Sequence, residues 1–132
     1  LNNLLALDAA RRANAHEALR FDADDQLTEG STSNVFVVRD GVLWTPDLAA
    51  GVLPGITRQL ILQSARALGV PVREEAIARQ ALDDAEEIMI SSTLRELVAV
   101  VALDGRPIAD GRPGALCQRL HRYYREHCIE RA

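Results

Sequence analysis

The stretch Asn34–Arg39 limits the possible folds of this chain more than any other. Its central residues, Val35-Phe36-Val37-Val38, are all apolar and lack the alternation of a strand that has one face in water. A strand of this kind is buried on both faces, so other elements must cover its sheet on two sides. Asp40-Gly41 follows directly, a pair typical of a two-residue hairpin, and Val42–Thr45 is predicted to return beside the first strand.

The rest of the chain alternates between helical and strand-like patterns. Helices are predicted over 1–15, 56–68, 76–84 and 115–131, and Gly69 lies where a left-handed cap would end the second helix. The inner face of that second helix is predicted to carry Ile56, Leu60, Ile61, Ser64, Ala65 and Leu68. Further strands are predicted over 17–22, 27–29, 70–73, 87–90 and 97–103. This interleaving favours an α/β fold with a mixed sheet.

Length, charge and cysteine placement exclude several classes of protein. The 132 residues are enough for one domain with a modest core, and a net charge of -4 offers no basic surface for nucleic acid. No apolar run approaches the roughly 20 residues of a membrane span and no signal peptide is visible, so we expect no membrane partner and a cytoplasmic location. Cys117 and Cys128 lie roughly 16 Å apart in an intact helix, which forbids a disulfide between them.

Small polar residues cluster immediately before the buried strand. Glu29 is followed by Gly30 and then by the hydroxyl-bearing residues Ser31, Thr32 and Ser33. Glycine allows the backbone to approach a ligand closely, and small hydroxyls offer donors and acceptors without bulk. The same composition is also ordinary in a hairpin loop, so by itself the cluster leaves both interpretations open.

Two further segments have the chemistry of an anion site. Gly55 precedes the strongest predicted helix, so the amides of Ile56 and Thr57 would face a bound anion. Ser91-Ser92-Thr93 ends a buried strand and could supply hydroxyls to the same anion. The alternatives are a plain helix start and a solvated strand end.

No metal site is predicted. Asp83-Asp84 and Glu86-Glu87 are interpreted as a solvated helix end, and His16 stands alone. His121 and His127 are six residues apart and so do not share a helix face, which excludes a paired ligand set.

Three blocks of the sequence together resemble the signature of the class IV pyridoxal-phosphate aminotransferases. They are Glu29-x-Ser31-x-x-Asn34-Val35-Phe36, Leu43-x-Thr45 and Leu53-x-Gly55-Ile56-x-Arg58. The resemblance implies the C-terminal domain of a D-amino-acid-aminotransferase-like fold, with a mixed, partly barrel-like sheet and packed helices. Residues 1–132 would then be the cofactor-binding domain, with the N-terminal domain absent from this chain.

The resemblance also implies a cofactor, pyridoxal 5'-phosphate, and places residues around it. Those residues are Glu29, Ser31, Ser33, Leu53, Gly55, Ile56, Thr57, Ser92 and Thr93. Glu29 would pair with the ring nitrogen, Leu53 would pack on the ring face, and Thr93 would contact the phosphate. The implied partners are an amino acid, a 2-oxo acid and a second copy of the protein in a homodimer.

The absence of lysine is the main departure from an aminotransferase. All 15 basic residues are arginine, whereas such an enzyme holds its cofactor through a lysine. The family carries a Lys-Ser-Leu-Asn-like segment just before the first helix, so the resemblance places the cofactor lysine upstream of Leu1. We therefore predict no catalytic residue within the chain, and a non-catalytic fragment is the alternative from another class.

The resemblance is greatest to the D-amino-acid (D-alanine) transaminases within the family. It rests on residues 29–34 and on the stretch Ser91-Ser92-Thr93-Leu94-Arg95-Glu96. Branched-chain L-amino-acid enzymes usually carry a Gly-Thr-Ala-like segment at the second place. A branched-chain L-amino-acid aminotransferase and an aminodeoxychorismate lyase are kept as alternative functions.

Overall fold

The centre of the fold is a five-stranded mixed sheet. A computed structural model describes residues 17–30, 33–50, 52 and 55–129, so the predicted helix over 1–15 lies outside the described residues. The strands of the sheet are β3 (Asn34–Arg39), β4 (Val42–Thr45), β5 (Val72–Glu74), β6 (Glu87–Ser92) and β7 (Glu96–Val100). Their order is β5-β4-β3-β6-β7, and only the β4–β5 pair is parallel. The prediction of a mixed α/β fold is confirmed.

The hairpin between β3 and β4 forms as predicted. Asp40 and Gly41 have positive φ angles of 52° and 74°, the conformation that a two-residue turn of this kind requires at both central positions. Arg39 pairs with Val42 across the turn, and the register continues to Val37 and Trp44.

Two short ribbons accompany the main sheet. β1 (Leu19–Phe21) pairs with β2 (Leu27–Gly30), and β8 (Ala102–Leu103) pairs with β9 (Arg106–Pro107). The single strand predicted over 97–103 is therefore wrong, because its last residues leave β7 and join a separate ribbon. The described strands form open sheets, so the barrel-like part of the expected fold is not seen in the described residues.

Helices α1 (Ile56–Ala67) and α2 (Ala115–His127) pack on one face of the main sheet. The inner face of α1 contains Ile61, Ser64 and Ala65 as predicted, and Gly69 has the expected positive φ, at 77°. Ile56 was placed on that face wrongly, since its side chain is 81% exposed. It lies on the opposite side of the helix from the buried stripe that runs through residues 57, 58, 61 and 62.

The helix predicted over 76–84 is reduced to a 3-10 turn at Arg79–Leu82. Backbone bonds to the β1–β2 ribbon explain the difference. The Leu27 amide donates to the Ile77 carbonyl at 2.7 Å, and the Arg79 amide donates to the Asp25 carbonyl at 3.1 Å. These groups are therefore not free to form helical bonds.

Two clusters of buried side chains lie on opposite sides of the main sheet. The cluster under the helices includes Phe36, Val38, Leu43, Ile61, Leu62, Ala65, Met89, Leu97, Cys117, Leu120 and Tyr124. The opposite cluster, partly covered by the β1–β2 ribbon, includes Leu27, Val35, Val37, Ile77, Leu82, Ala85, Ile88, Ile90 and Ile108. Alternate residues of β3 enter each cluster, which confirms that this strand is buried on both faces. Cys117 and Cys128 are both free thiols.

A carboxylate from the sheet caps the start of α2. Glu87 accepts hydrogen bonds from the amides of Leu116 and Cys117, each at 3.0 Å. Gly114 precedes the helix, and a side chain there would collide with the Glu87 carboxylate. The negative charge of Glu87 also lies at the positive N-terminal end of the helix dipole, where it stabilises the helix. Glu87 therefore joins α2 to β6 from a position that is remote in sequence.

We expect Glu87→Ala to lower the free energy of unfolding by about 1–2 kcal/mol, since two helix amides lose their acceptor. Urea denaturation measures the change. The neighbouring Glu86→Ala is the matched control, because the Glu86 carboxylate accepts from an exposed turn amide, that of Gly41 at 3.2 Å, and not from a helix start. Equal losses in the two variants would contradict the capping role.

Candidate cofactor-binding site

Three segments meet at one end of the β3–β6 pair, and we call them together the candidate site. They are the turn that follows β2, the start of α1, and the turn between β6 and β7. Asn34 begins β3 and pairs across the sheet with Ser91 of β6. A side chain on Gly55, which precedes α1, would lie 2.6 Å from Asn34 Oδ1. The contacts of Asn34 therefore place the start of α1 beside the ends of both strands.

Glu29 lies in β2, directly before the turn, and is partly buried. Burial raises the pKa of its carboxyl group, and the positive charge of Arg20 acts in the opposite direction with a smaller effect. An ionised carboxylate in this position gains from a cation placed against it, because an opposite charge stabilises its charged form. Glu29 is therefore suited to face a protonated ring nitrogen.

The turn after Glu29 is closed by a hydrogen bond and leaves no room at its glycine. The Gly30 amide donates to the Ser33 carbonyl at 2.8 Å. A side chain on Gly30 would collide with the Ser33 hydroxyl and crowd the side chain of Glu17. Ser33 is buried, and its hydroxyl donates to Glu17 Oε2 at 3.0 Å. The hydrogen of this hydroxyl is thus committed to Glu17, while its oxygen can still accept.

The start of α1 has the properties of an anion site. Gly55, the N-cap residue, is extended, with φ -87° and ψ 140°, and has no side chain that could cap the helix. The first turn contains no acidic residue, and the Thr57 side chain is buried beneath it. The first amides of a helix have no partner within it, so those of Ile56 and Thr57 are the donors available to an anion.

The turn between β6 and β7 presents hydroxyls at the same end of the sheet. Ser92 Oγ accepts from the Arg95 amide at 3.1 Å, and Thr93 is exposed. Ser91 is 1% exposed, and its hydroxyl has no hydrogen-bond partner among the residues that the structure describes. The turn therefore combines one accessible hydroxyl with a buried one whose bonding is incomplete.

These features fit a phosphorylated pyridine cofactor. Helix amides and the Thr93 hydroxyl suit its phosphate, and a partly buried carboxylate suits its ring nitrogen. The buried, incompletely bonded hydroxyl of Ser91 and the close approach of Gly55 to Asn34 mark the same end of the sheet. Ser31 and Leu53 lie outside the described residues, so their expected places beside the cofactor stay predictions.

Three charged residues around the site were missed or given no role by the sequence analysis. Glu17 and Arg95 form an ion pair at 2.8 Å, although 78 positions separate them. Arg58 is 1% exposed and donates to the Pro46 carbonyl at 3.1 Å and to Glu74 Oε1 at 3.0 Å. Arg58 therefore attaches the start of α1 to the segments that follow β4 and end β5. The only signal in the sequence for a role of Arg58 was its place in the block Leu53-x-Gly55-Ile56-x-Arg58.

A groove of about 570 Å³ lies elsewhere, between β7 and α2. Its lining includes Val98, Cys117 and His121 and none of the predicted site residues. Burial raises the pKa of the Cys117 thiol to about 11, with the Glu87 charge adding to the effect, and this disfavours the reactive thiolate form. The described residues contain no cluster of acidic, histidine or cysteine side chains that could hold a metal ion. None of the described helices is long and apolar enough to cross a membrane.

The chain belongs to the class IV amino-transferase family, whose model matches residues 1–103. A D-alanine aminotransferase from Listeria monocytogenes serotype 4b (strain F2365) is 40% identical over 130 residues. That match covers 98% of this chain and 45% of the relative. The chain thus spans less than half the length of this relative and corresponds to the C-terminal part of its relatives.

Solved structures of branched-chain enzymes share the fold. The branched-chain amino acid aminotransferase of Escherichia coli superposes with a TM-score of 0.92 at 36% identity, covering 95% of this chain and 42% of that one. The branched-chain aminotransferase of the thermophilic archaeon Thermoproteus uzoniensis, solved with norvaline, gives a TM-score of 0.90 at 36% identity, covering 95% and 41%. Another branched-chain enzyme of the same fold, at 37% identity, was solved with pyridoxamine 5'-phosphate. Class IV aminotransferases are pyridoxal-phosphate-dependent enzymes.

Because the pKa of Glu29 is raised, ionisation of this carboxyl group should lower the free energy of unfolding of the cofactor-free protein. A carboxyl group whose folded pKa lies above its unfolded value favours folding below the unfolded pKa, and this contribution is lost as pH rises through the folded pKa. Glu29→Gln should therefore increase the free energy of unfolding at neutral pH, and the gain should vanish near pH 4. Urea denaturation at the two pH values measures it, with the exposed Glu126→Gln as control. A neutral-pH loss in the Glu29 variant would contradict the electrostatic account.

Proposed function

We propose that the full-length protein is a pyridoxal-phosphate-dependent aminotransferase that transfers an amino group between an amino acid and a 2-oxo acid. Residues 1–132 would form its C-terminal cofactor-binding domain. The observation that carries the proposal is the meeting of a helix start with glycine as its N-cap, a hydroxyl-bearing turn and the glycine turn after Glu29 at one end of one sheet. The cofactor, when bound, supplies an electron sink for bonds broken at the substrate α-carbon.

Glu29 acts at the ring end of the proposed site. Its carboxylate would hold a proton on the ring nitrogen of the bound cofactor, because paired opposite charges stabilise each other in a partly buried position. The same burial that raises the pKa of Glu29 strengthens this attraction, since fewer waters screen it. Leu53 would exclude water from the ring face, and Ser31 and Ser33 would lie near the cofactor, as the family resemblance implies.

The phosphate end of the proposed site is formed by the start of α1 and the β6–β7 turn. The amides of Ile56 and Thr57 would donate to the phosphate, and Gly55 would allow its close approach. Thr93 would donate its hydroxyl, and Ser92 shapes the turn by accepting the Arg95 amide. These residues would hold the phosphate end of the cofactor, while Glu29 would hold the ring end.

The lysine that would hold the cofactor is proposed to lie before Leu1, because the chain itself contains none. The resemblance of residues 91–96 to D-alanine transaminases and the 40% identity to the Listeria enzyme favour a D-amino acid as substrate. A branched-chain L-amino acid is the second candidate, favoured by the TM-score of 0.92 with the Escherichia coli enzyme. We also propose a cytoplasmic homodimer, carried over from the sequence and the family resemblance.

Thr93→Val should weaken pyridoxal 5'-phosphate binding to the full-length protein by about 1–3 kcal/mol, the range for losing a bond to a charged group. Spectrophotometric titration of the cofactor-free protein measures the affinity. Thr28→Val is the matched control, because the Thr28 hydroxyl donates to the Arg20 carbonyl at 3.0 Å. Unchanged affinity in the Thr93 variant would remove this residue from the phosphate site.

Glu29→Gln keeps the shape of the side chain and removes its charge. Amino-group transfer has two half-reactions, one with the amino acid and one with the 2-oxo acid. In the full-length protein, Glu29→Gln should slow both strongly while the cofactor stays bound, because the ring nitrogen loses the group that holds its proton. Glu29→Asp should slow them less, provided that the shorter carboxylate still reaches. Single-turnover spectroscopy measures both rates. Normal rates in the glutamine variant would reduce Glu29 to a turn residue and remove it from the mechanism.

A further inference from the structure

We propose that Glu17 and Arg95 are a positioning pair that sets the distance between the two turns of the candidate site. One turn follows Glu29, and the other carries Ser92 and Thr93. The inference rests on the proposed cofactor site, because it assigns a function to the alignment of those turns. Neither residue is proposed to touch the cofactor or the substrate.

Glu17 is the buried member of the pair. Its side chain is 8% exposed, and its two carboxylate oxygens accept hydrogen bonds from different donors. Oε1 accepts from the adjacent Ala18 amide at 3.0 Å. Oε2 accepts from the Ser33 hydroxyl at 3.0 Å and from Arg95 Nη2 at 2.8 Å. A single oxygen atom thus joins the turn after Glu29 to the β6–β7 turn.

Arg95 determines both the shape and the attachment of its turn. Its amide donates to Ser92 Oγ at 3.1 Å, which closes the turn around Thr93. Its guanidinium, on a side chain that is 36% exposed, bonds Glu17. Removal of this side chain leaves the amide bond possible but detaches the turn from Glu17.

The residue after Arg95 holds the turn from the other side. Glu96 has a φ of 59°, a strained value for a residue with a side chain. Its Oε1 lies 2.9 Å from His121 Nε2 and 3.6 Å from Arg125 Nε, both on α2. Adjacent residues therefore attach the β6–β7 turn to Glu17 on one side and to α2 on the other.

The energetics make the Glu17 side the more sensitive attachment. A buried carboxylate that loses a bonded cation keeps the cost of leaving water and loses part of the attraction that offsets this cost. Glu17 would then move, and this movement would disturb its hydrogen bond from the Ser33 hydroxyl. Gly30 has no spare volume beside these groups, so the movement would reach the turn that positions Glu29. The α2 side lies nearer to solvent, where ion pairs contribute less.

The test compares two ligands of the cofactor-free, full-length protein: pyridoxal 5'-phosphate and pyridoxal, which lacks the phosphate. Arg95→Met should reduce the ratio of the two affinities about tenfold, since Thr93 no longer aligns with the phosphate. Pyridoxal affinity should fall less than the affinity for pyridoxal 5'-phosphate, because pyridoxal has no phosphate for Thr93 to bind. Loss of a residue needed only for folding would lower the affinity for both ligands equally and leave the ratio of the two affinities unchanged.

Three further variants establish that the effect comes from the pair. Arg95→Lys keeps a cation and should retain part of the preference for the phosphorylated ligand. Glu17→Gln should lower the preference, and adding it to Arg95→Met should cost no more than either single change, because the two residues act as a unit. Arg125→Met is the matched control: it removes an arginine that is 64% exposed and contacts the neighbouring Glu96, and it should leave the ratio as in the wild type.

The outcomes separate the two proposals. A wild-type protein that binds pyridoxal 5'-phosphate no better than pyridoxal would overturn the proposed cofactor site itself. A wild-type preference that survives intact in Arg95→Met, or that falls additively in the double variant, would overturn the positioning pair alone. If Arg95→Met does not fold, as shown by its thermal unfolding profile, the same comparison in Arg95→Lys and Glu17→Gln decides: an unchanged ratio in both contradicts the inference.

Discussion

Burial of both faces of the β3–β6 pair is the constraint on which the rest of the structure depends. Alternate apolar residues of the two strands enter the cluster beneath the helices and the cluster on the opposite side. Each fully buried side chain of this size contributes about 1.5–3 kcal/mol, so the two clusters dominate the stability of the domain. A register slip of one residue would exchange the two faces, and the pairing of Asn34 with Ser91 is therefore strongly determined.

That register also brings the polar ends of the strands together. Beyond the apolar core, Asn34 meets the start of α1 at Gly55, and Ser91 leads into the turn that carries Thr93. The candidate site thus lies where the hydrophobic pairing of β3 with β6 ends. An ion pair adds to this arrangement, since Glu17 and Arg95 connect the turn after Glu29 to the β6–β7 turn.

Local patterns in the sequence predicted most of the fold and the individual segments of the site. The Asp40-Gly41 hairpin and the buried β3 depend on neighbouring residues, and both form as predicted. The helix predicted over 76–84 was wrong because its backbone bonds to a ribbon that lies far earlier in the chain, at Asp25 and Leu27. The ion pair of Glu17 with Arg95 could not be predicted for the same reason: no local pattern relates residues 78 positions apart. Sequence patterns thus indicated the chemical groups of the candidate site, and long-range pairing determined how the described ones are arranged.

The central claim is that Glu29 holds a proton on the ring nitrogen of a bound pyridoxal phosphate. The most direct measurement is the nitrogen-15 chemical shift of ring-labelled cofactor bound to the full-length protein. The account predicts the shift of a protonated pyridine nitrogen at neutral pH, and the shift of an unprotonated nitrogen in Glu29→Gln. An unprotonated ring nitrogen in the wild-type protein, or a protonated one that is unaffected by the substitution, would contradict it.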